Sequence, residues 1–174
     1  MEQWLSVVNY EGVYEVSNHG QVRSIPREIT VSRQGTRFIR RYQGKLLAPE
    51  KVWYSGHLAV NLHTPEHPQH MVRVHHLVLE AFVGPRPPQM FGLHRDDNPE
   101  NNHLSNLYWG TKTNNQNDKV RNGNHHNANK TQCPQGHDYN EENTRWETKK
   151  NGRRARRCLI CTRQKKREAY HRNK

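Results

Sequence analysis

HRDDNPENNHLSNLYWGTKTNNQND, residues 94–118, is the stretch on which the fold turns. It places seven asparagines and two histidines around a strand-like Leu-Tyr-Trp. Asparagine favours turns and caps, and Asn98, Asn101 and Asn102 within DDNPENN suit Asx turns. An amide oxygen can also hold a ring N–H or a hard cation without adding negative charge. Just upstream lies VHHLVLEAFVG, residues 74–84. Its Leu77, Val78, Ala81 and Phe82 share one face of a helix expected over His75–Val83, which Gly84-Pro85 ends. Further upstream, WLSVVNYEGVYEVSNHGQVRSI (residues 4–25) alternates short β-branched and aromatic runs with turn signals. A small antiparallel meander is expected from Trp4 to about Ala59. Further strands are expected near Lys45–Leu47, His57–Leu62 and Met71–Val74, with TPEHPQ (residues 64–69) as the turn between the last two.

Bulk properties narrow the class. Only 31% of the 174 residues are hydrophobic and the mean hydropathy is −1.21, which favours small modules over one large core. Modules that small often need a metal. A formal charge of +12 and a pI near 10.0 point to a polyanionic partner. No apolar run approaches the roughly 18 residues that span a bilayer. The start, MEQWLSVVNYEG, has neither the basic nor the apolar region of a secretory signal. A cytoplasmic location is expected. Three cysteines cannot pair completely, so metal ligation in a reducing compartment is expected instead of a disulfide framework.

The cysteines support that. Cys133, His137, Cys158 and Cys161 read C-x3-H-x20-C-x2-C, two close ligand pairs of the kind a tetrahedral Zn²⁺ needs. His125, His126 and His171 are alternatives to His137. Four protein ligands leave no open position, so the site is expected to be structural. Between Lys149 and Arg167 lie ten Lys or Arg residues and no acid. Arg153, Arg154, Arg156, Arg157, Lys165, Lys166 and Arg167 are candidate phosphate contacts, the last three on an expected basic helix. A second basic cluster runs from Arg23 to Arg41, with Arg37, Arg40 and Arg41 as its candidate DNA-binding residues. Val120–Gln132, nearly free of apolar residues, is expected to be extended, with Arg121 and Lys130 near phosphates.

One histidine among amides in a basic setting suits phosphodiester hydrolysis. Imidazole is a base near neutral pH, and an oxygen-ligated Mg²⁺ or Mn²⁺ neutralises charge on phosphate and leaving group. The residues resemble the HNH, or ββα-metal finger, endonucleases of phages and mobile introns. The resemblance lies in His94, Asp96-Asp97-Asn98, Asn101-Asn102, Asn106-Leu107-Tyr108-Trp109 and Asn114-Asn115. The segment from Trp4 to Ile25 is similar to the module that often precedes such nucleases, and VHHLVLEAFVG to the helix before the finger. The match covers roughly Trp4 to Asp118.

The resemblance implies His94 as general base, Asn106 fixing the His94 ring, and Asn115 as an oxygen ligand to the catalytic cation. Many relatives have Asp or Asn just before the base, where this chain has Leu93; Asp96 and His76 are the candidate replacements. The expected fold is α+β: a β-rich module (residues 1–60), the finger (61–118), an extended linker (119–132), and a zinc ribbon with basic helix (133–174). The expected function is metal-dependent cleavage of double-stranded DNA in a bacterial host. A monomer would nick one strand, and a dimer could cut both. The rival is a non-catalytic DNA-binding protein on the same scaffold, which Leu93 favours.

Overall fold

The computed structural model describes residues 1–64, 70–150, 152, 154–172 and 174. The chain forms two compact units, Met1–Asn122 and Gly123–Lys174. The fold is α+β, built from small sheets and three α-helices among the described residues.

In the first unit, β1 (Trp4–Ser6), β2 (Tyr14–Ser17), β3 (Val22–Ser24) and, beyond a hairpin, β6 (Lys45–Leu46) make a four-stranded antiparallel sheet in the order β1-β2-β3-β6. The hairpin is β4 (Arg27–Arg33) and β5 (Thr36–Tyr42), a two-stranded sheet of its own. Its turn, Gln34-Gly35, has positive φ at both residues, 51° and 81°, matching the twist of the strands it joins. Then β7 (Glu50–Lys51), β8 (Leu58–Leu62) and β9 (His70–Arg73) form a third sheet, followed by α1 (Val74–Phe82). The sequence suggests one meander where the molecule has three sheets. The physical reason lies in β4–β5: Arg residues interrupt the apolar ones on both faces, and Phe38 and Ile39 stay exposed, so the hairpin stands as a sheet of its own. Pro65–Gln69 of the expected TPEHPQ turn lie outside the described residues.

One core joins these parts. Tyr14 and Val16 of β2, Val60 and Leu62 of β8, and Val74, Val78 and Leu79 of α1 are buried together with Leu107. Each aliphatic side chain buried there contributes about 1.5–3 kcal/mol. The finger follows: β10 (Phe91–His94), a 3₁₀ turn (Leu104–Asn106), β11 (Leu107–Gly110) and α2 (Lys112–Arg121). Strands β10 and β11 pair antiparallel with Leu93 opposite Tyr108 and His94 opposite Leu107. A capping box starts α2: Asn114 N–H donates to the Thr111 hydroxyl at 3.2 Å, and Thr111 N–H to Asn114 Oδ1 at 2.9 Å.

The helix runs through Val120 and Arg121, residues expected to be extended. Polar ties hold this last turn where apolar packing does not. Asn122 Nδ2 and Arg121 Nη2 donate to the Arg95 carbonyl at 2.7 and 3.0 Å, Arg121 pairs with Asp118 at 2.8 Å, and Tyr108 donates to Asp118. Arg121 is thus occupied in holding the finger.

In the second unit, β12 (Thr144–Thr148) and β13 (Arg154–Cys158) pair antiparallel and lead into α3 (Leu159–Arg172). Helix α3 buries none of its described residues. Cys133 and Cys158 are the buried hydrophobic side chains of this unit among the described residues, which is too little for a core of its own.

Candidate active site and metal centre

His94 ends β10 and is 6% exposed. Its Nε2 lies 3.3 Å from Asn102 Oδ1. The Asn102 amide donates from Nδ2 to the Glu100 carbonyl at 3.2 Å, which turns its oxygen toward the ring. The first unit's own turn supports Asn102 from behind. Gly20, with φ +83°, comes so close that a Cβ there would stand 2.6 Å from Asn102 Cβ. Beside it, Leu104 N–H donates to the Asn18 carbonyl at 2.8 Å and His19 stacks on His103 at 4.8 Å. Burial lowers the His94 pKa; the Asn102 bond and the Asp96 and Asp97 charges oppose that, less strongly.

Asn106 does other work. Its Oδ1 accepts from Asp96 N–H at 3.2 Å, and its Nδ2 donates to Asp96 Oδ1 and to the Asn101 carbonyl, both at 2.9 Å. Asp96 also accepts from Asn98 N–H at 2.9 Å and Asn101 Nδ2 at 2.7 Å. These bonds stitch the loop between β10 and β11. Both N–H groups of Asn106 are donated within the loop, and the side-chain contact to the His94 ring comes from Asn102. Asp96 is equally committed. The neighbouring Asp97, in the left-handed region at φ 58° that Asp tolerates, is the carboxylate lining the cleft.

That cleft, about 620 Å³, is lined by His57, His75, His76, His94, Asp97 and Asn115, and by the cations Arg73, Arg86, Lys112 and Lys119. Leu93 also reaches it but is only 7% exposed, and it offers no ligand atom. Gly92 admits the helix: a Cβ there would stand 2.8 Å from His75 Cδ2 and 3.0 Å from His76 Cδ2. Burial, with neighbouring imidazole and guanidinium charges, pushes the pKa of His75 down to about 2 and those of His57 and His76 to about 4. The imidazoles facing this cleft are therefore neutral.

In the second unit, Cys133, His137, Cys158 and Cys161 come together, their ligand atoms within 4.8 Å of one another. Cys133 Sγ is 3.7 Å from Cys161 Sγ, and His137 Nδ1 is 3.5, 3.7 and 3.2 Å from the sulfurs of Cys133, Cys158 and Cys161. A tetrahedron with metal–sulfur bonds of about 2.3 Å has sulfur–sulfur edges of about 3.7 Å. The donor set and spacing therefore fit a metal ion. Gly136, at φ +80°, permits the turn that returns the chain from Cys133 to His137. Asn143, 6% exposed and not singled out from sequence, clips the two ligand pairs together. It donates to the Asp138 carbonyl at 2.7 Å and accepts from Ile160 N–H at 3.0 Å.

Residues 2–63 match the NUMOD4 motif, and residues 72–117 match the HNH endonuclease family. This chain carries an HNH endonuclease domain behind a NUMOD4 motif. It is also similar to a solved structure describing DNA binding and cleavage by the HNH homing endonuclease I-HmuI, at 25% identity and a TM-score of 0.53. The similarity covers 70% of this chain, which spans 60% of the length of that one. No curated protein matches the chain.

The cleft brings together His94 and Asn115, both singled out from the sequence, and adds His57, from the stretch that matches the NUMOD4 motif, and His75, from the stretch that matches the HNH family. The basic candidates differ in freedom. Arg37 and Arg40 are exposed on β5, with Arg40 over the Tyr42 ring at 5.1 Å, while Arg41 pairs with Glu28 at 2.7 Å. Lys165, Lys166 and Arg167 are exposed on α3. Arg154 lies over Trp146 at 5.1 Å and Arg157 pairs with Glu147 at 2.7 Å. Arg156 lies over Tyr139 at 4.6 Å and donates to the Asn127 and Ala128 carbonyls. Arg153 lies outside the described residues. None of the described helices is long and apolar enough to cross a membrane.

Proposed function

We propose that the chain is a divalent-metal-dependent DNA endonuclease that hydrolyses one phosphodiester per active site, with His94 as general base. The observation that carries this is the single cleft onto which His94, Asn115 and four cationic side chains open. Arg73, Arg86, Lys112 and Lys119 give that cleft the charge to draw in a phosphate backbone.

The proton transfer follows from the ring contacts. The Asn102 oxygen faces Nε2, so the neutral ring carries its proton there and keeps the Nδ1 lone pair for a water proton. Burial holds the ring neutral at physiological pH, ready to accept. The hard oxygens of Asn115 and Asp97, on the same cleft, fit Mg²⁺ or Mn²⁺. A cation bound there supplies charge neutralisation at the phosphate and the leaving oxygen. Asn115 places its ligand from the first turns of α2, a helix anchored through Asp118 and Asn122.

In the second unit, Cys133, His137, Cys158 and Cys161 hold a structural Zn²⁺, and the exposed cations of α3 and β5 contact DNA phosphates. Residues 1–60 act as the accessory module, 61–122, through the end of α2, as the nuclease unit, 123–132 as the connector and 133–174 as the zinc ribbon. One base histidine per chain makes the monomer a nickase, acting on DNA in a host cytoplasm.

The test is conversion of supercoiled plasmid to nicked circle with Mg²⁺, with Mn²⁺ and with EDTA. Metal-dependent nicking that His94→Ala abolishes while DNA binding persists is the expected result. Nicking that survives His94→Ala would refute the assignment of the base. Leu93, which leaves the position before the base without a ligand, favours a binding-only scaffold as the second reading. DNA binding without cleavage in either metal would support it.

A further inference from the structure

His57, His75 and His94 come from three separated parts of the chain: the turn before β8, the first turn of α1 and the end of β10. Their ligand nitrogens lie within 4.8 Å of one another. Ring centroids are 4.7 Å apart for His57–His75, 4.9 Å for His75–His94 and 5.5 Å for His57–His94. His75 is 1% exposed and its Nδ1 has no hydrogen-bond partner among the described residues. An imidazole buried that deeply normally satisfies both nitrogens. Close packing of three neutral rings with a nitrogen unsatisfied is the arrangement a metal ion completes.

We propose that His57, His75 and His94 form a second metal site in the first unit, selective for a borderline divalent ion such as Zn²⁺, Ni²⁺ or Co²⁺. Three imidazoles and no thiolate or carboxylate suit those ions and not Mg²⁺. The site differs in donor chemistry from the oxygen position at Asn115 and from the sulfur-rich cluster around Cys133. The ions bound would differ accordingly. Its consequence rests on the endonuclease reading: an ion on this trio occupies the imidazole that must accept a proton. A borderline ion would then oppose cleavage that Mg²⁺ supports.

Binding is tested on the full chain after the cysteine cluster has been filled with one equivalent of Zn²⁺. Co²⁺ is then titrated in and its visible ligand-field absorption followed. A saturable band without near-ultraviolet sulfur-to-cobalt charge transfer is expected. His57→Gln should weaken Co²⁺ binding at least tenfold, and His94→Gln should do the same, while Asn115→Ala should retain it. His57 is the more exposed member, so His57→Gln is expected to keep the thermal melt of the parent chain. No nitrogen-type band in the zinc-loaded parent would overturn the proposal. So would undiminished binding in both histidine variants, or a band lost in Asn115→Ala and kept in His57→Gln. The spectra need no cleavage, so a chain that never nicks DNA sinks the endonuclease reading and leaves this measurement valid.

Discussion

Asn102→Ala and Asn102→Asp test the base and its orienting group together. The His94–Asn102 contact, 3.3 Å, is at the long end of hydrogen bonds. Its loss is worth about 0.5–1.5 kcal/mol, which corresponds to roughly 2- to 13-fold in kcat if the ring must be held for every turnover. Packing should survive, because alanine keeps the Cβ against which Gly20 closes. The pH profile is the sharper readout. The Asn102 oxygen favours the protonated ring, so removing it lowers the His94 pKa further and moves the acid limb of kcat/KM to lower pH. A carboxylate at the same place favours the protonated ring more strongly and moves that limb to higher pH. Plasmid nicking rates from pH 5 to 9 would show both. If the two variants shift the limb in the same direction, or neither moves it, Asn102 does not act on the base and the mechanism fails at this contact.

Asn106→Ala should behave differently, as a stability variant. It removes three loop hydrogen bonds, one to the Asp96 carboxylate, and is expected to cost about 2–4 kcal/mol. That is roughly 10 °C in the melting temperature of the first unit, measured by calorimetry. The metal-free chain should also lose stability in acid. His75 has a folded pKa of about 2 against an ordinary 6.5, so below about pH 6.5 the unfolded chain takes up a proton that the native state refuses. Stability is full above that pH and falls as pH drops, by about 1.4 kcal/mol per unit from His75 alone. His57 and His76 act in the same direction down to about pH 4. Urea midpoints that do not change between pH 7 and pH 5 would contradict buried neutral histidines. Finally, a strong chelator or Cys158→Ser should melt the 14-residue helix α3 and the β12–β13 hairpin. Structural zinc contributes on the order of 10 kcal/mol or more, whereas a helix of this length is marginal alone. Circular dichroism unchanged by chelator would rule out a metal-held fold.

The parts of this molecule legible in its sequence are those whose geometry is local. Helix α1 shows in the spacing of Leu77, Val78, Ala81 and Phe82, and the cysteine cluster in two short ligand pairs, each spanning a single turn. The capping box of α2 is equally local, although Asn114 could be told from Asn115 only by where the helix begins. The ring partner of His94 was not legible. Which of Asn102 and Asn106 reaches the imidazole depends on the path of a loop with a left-handed Asp97, supported by the Gly20 turn some 80 residues earlier in the chain. No periodicity encodes such a contact. The trio of His57, His75 and His94 was hidden for the same reason, since three turns and strands must fold before those residues become neighbours.

Six of the seven asparagines between His94 and Asp118 then have a physical account in where their amides lie. Asn98 and Asn101 tie the loop, Asn106 locks it to Asp96, Asn102 faces the base, Asn114 caps α2, and Asn115 opens on the cleft. Carboxylates could accept many of the same bonds. They would also set negative charge beside a cleft whose four cations are its means of holding a phosphate. The acid that makes the most bonds in this loop, Asp96, is exposed but spent on hydrogen bonds to Asn98, Asn101 and Asn106, leaving Asp97 as the cleft's carboxylate. Amides let the loop be rigid, the base be oriented and a cation be held, while the surface offered to a polyanion stays positive. On this argument Asn102→Asp, whatever it does to the pH profile, should also weaken DNA binding. Asn102→Ala should leave binding unchanged, because the charge of the cleft is unchanged.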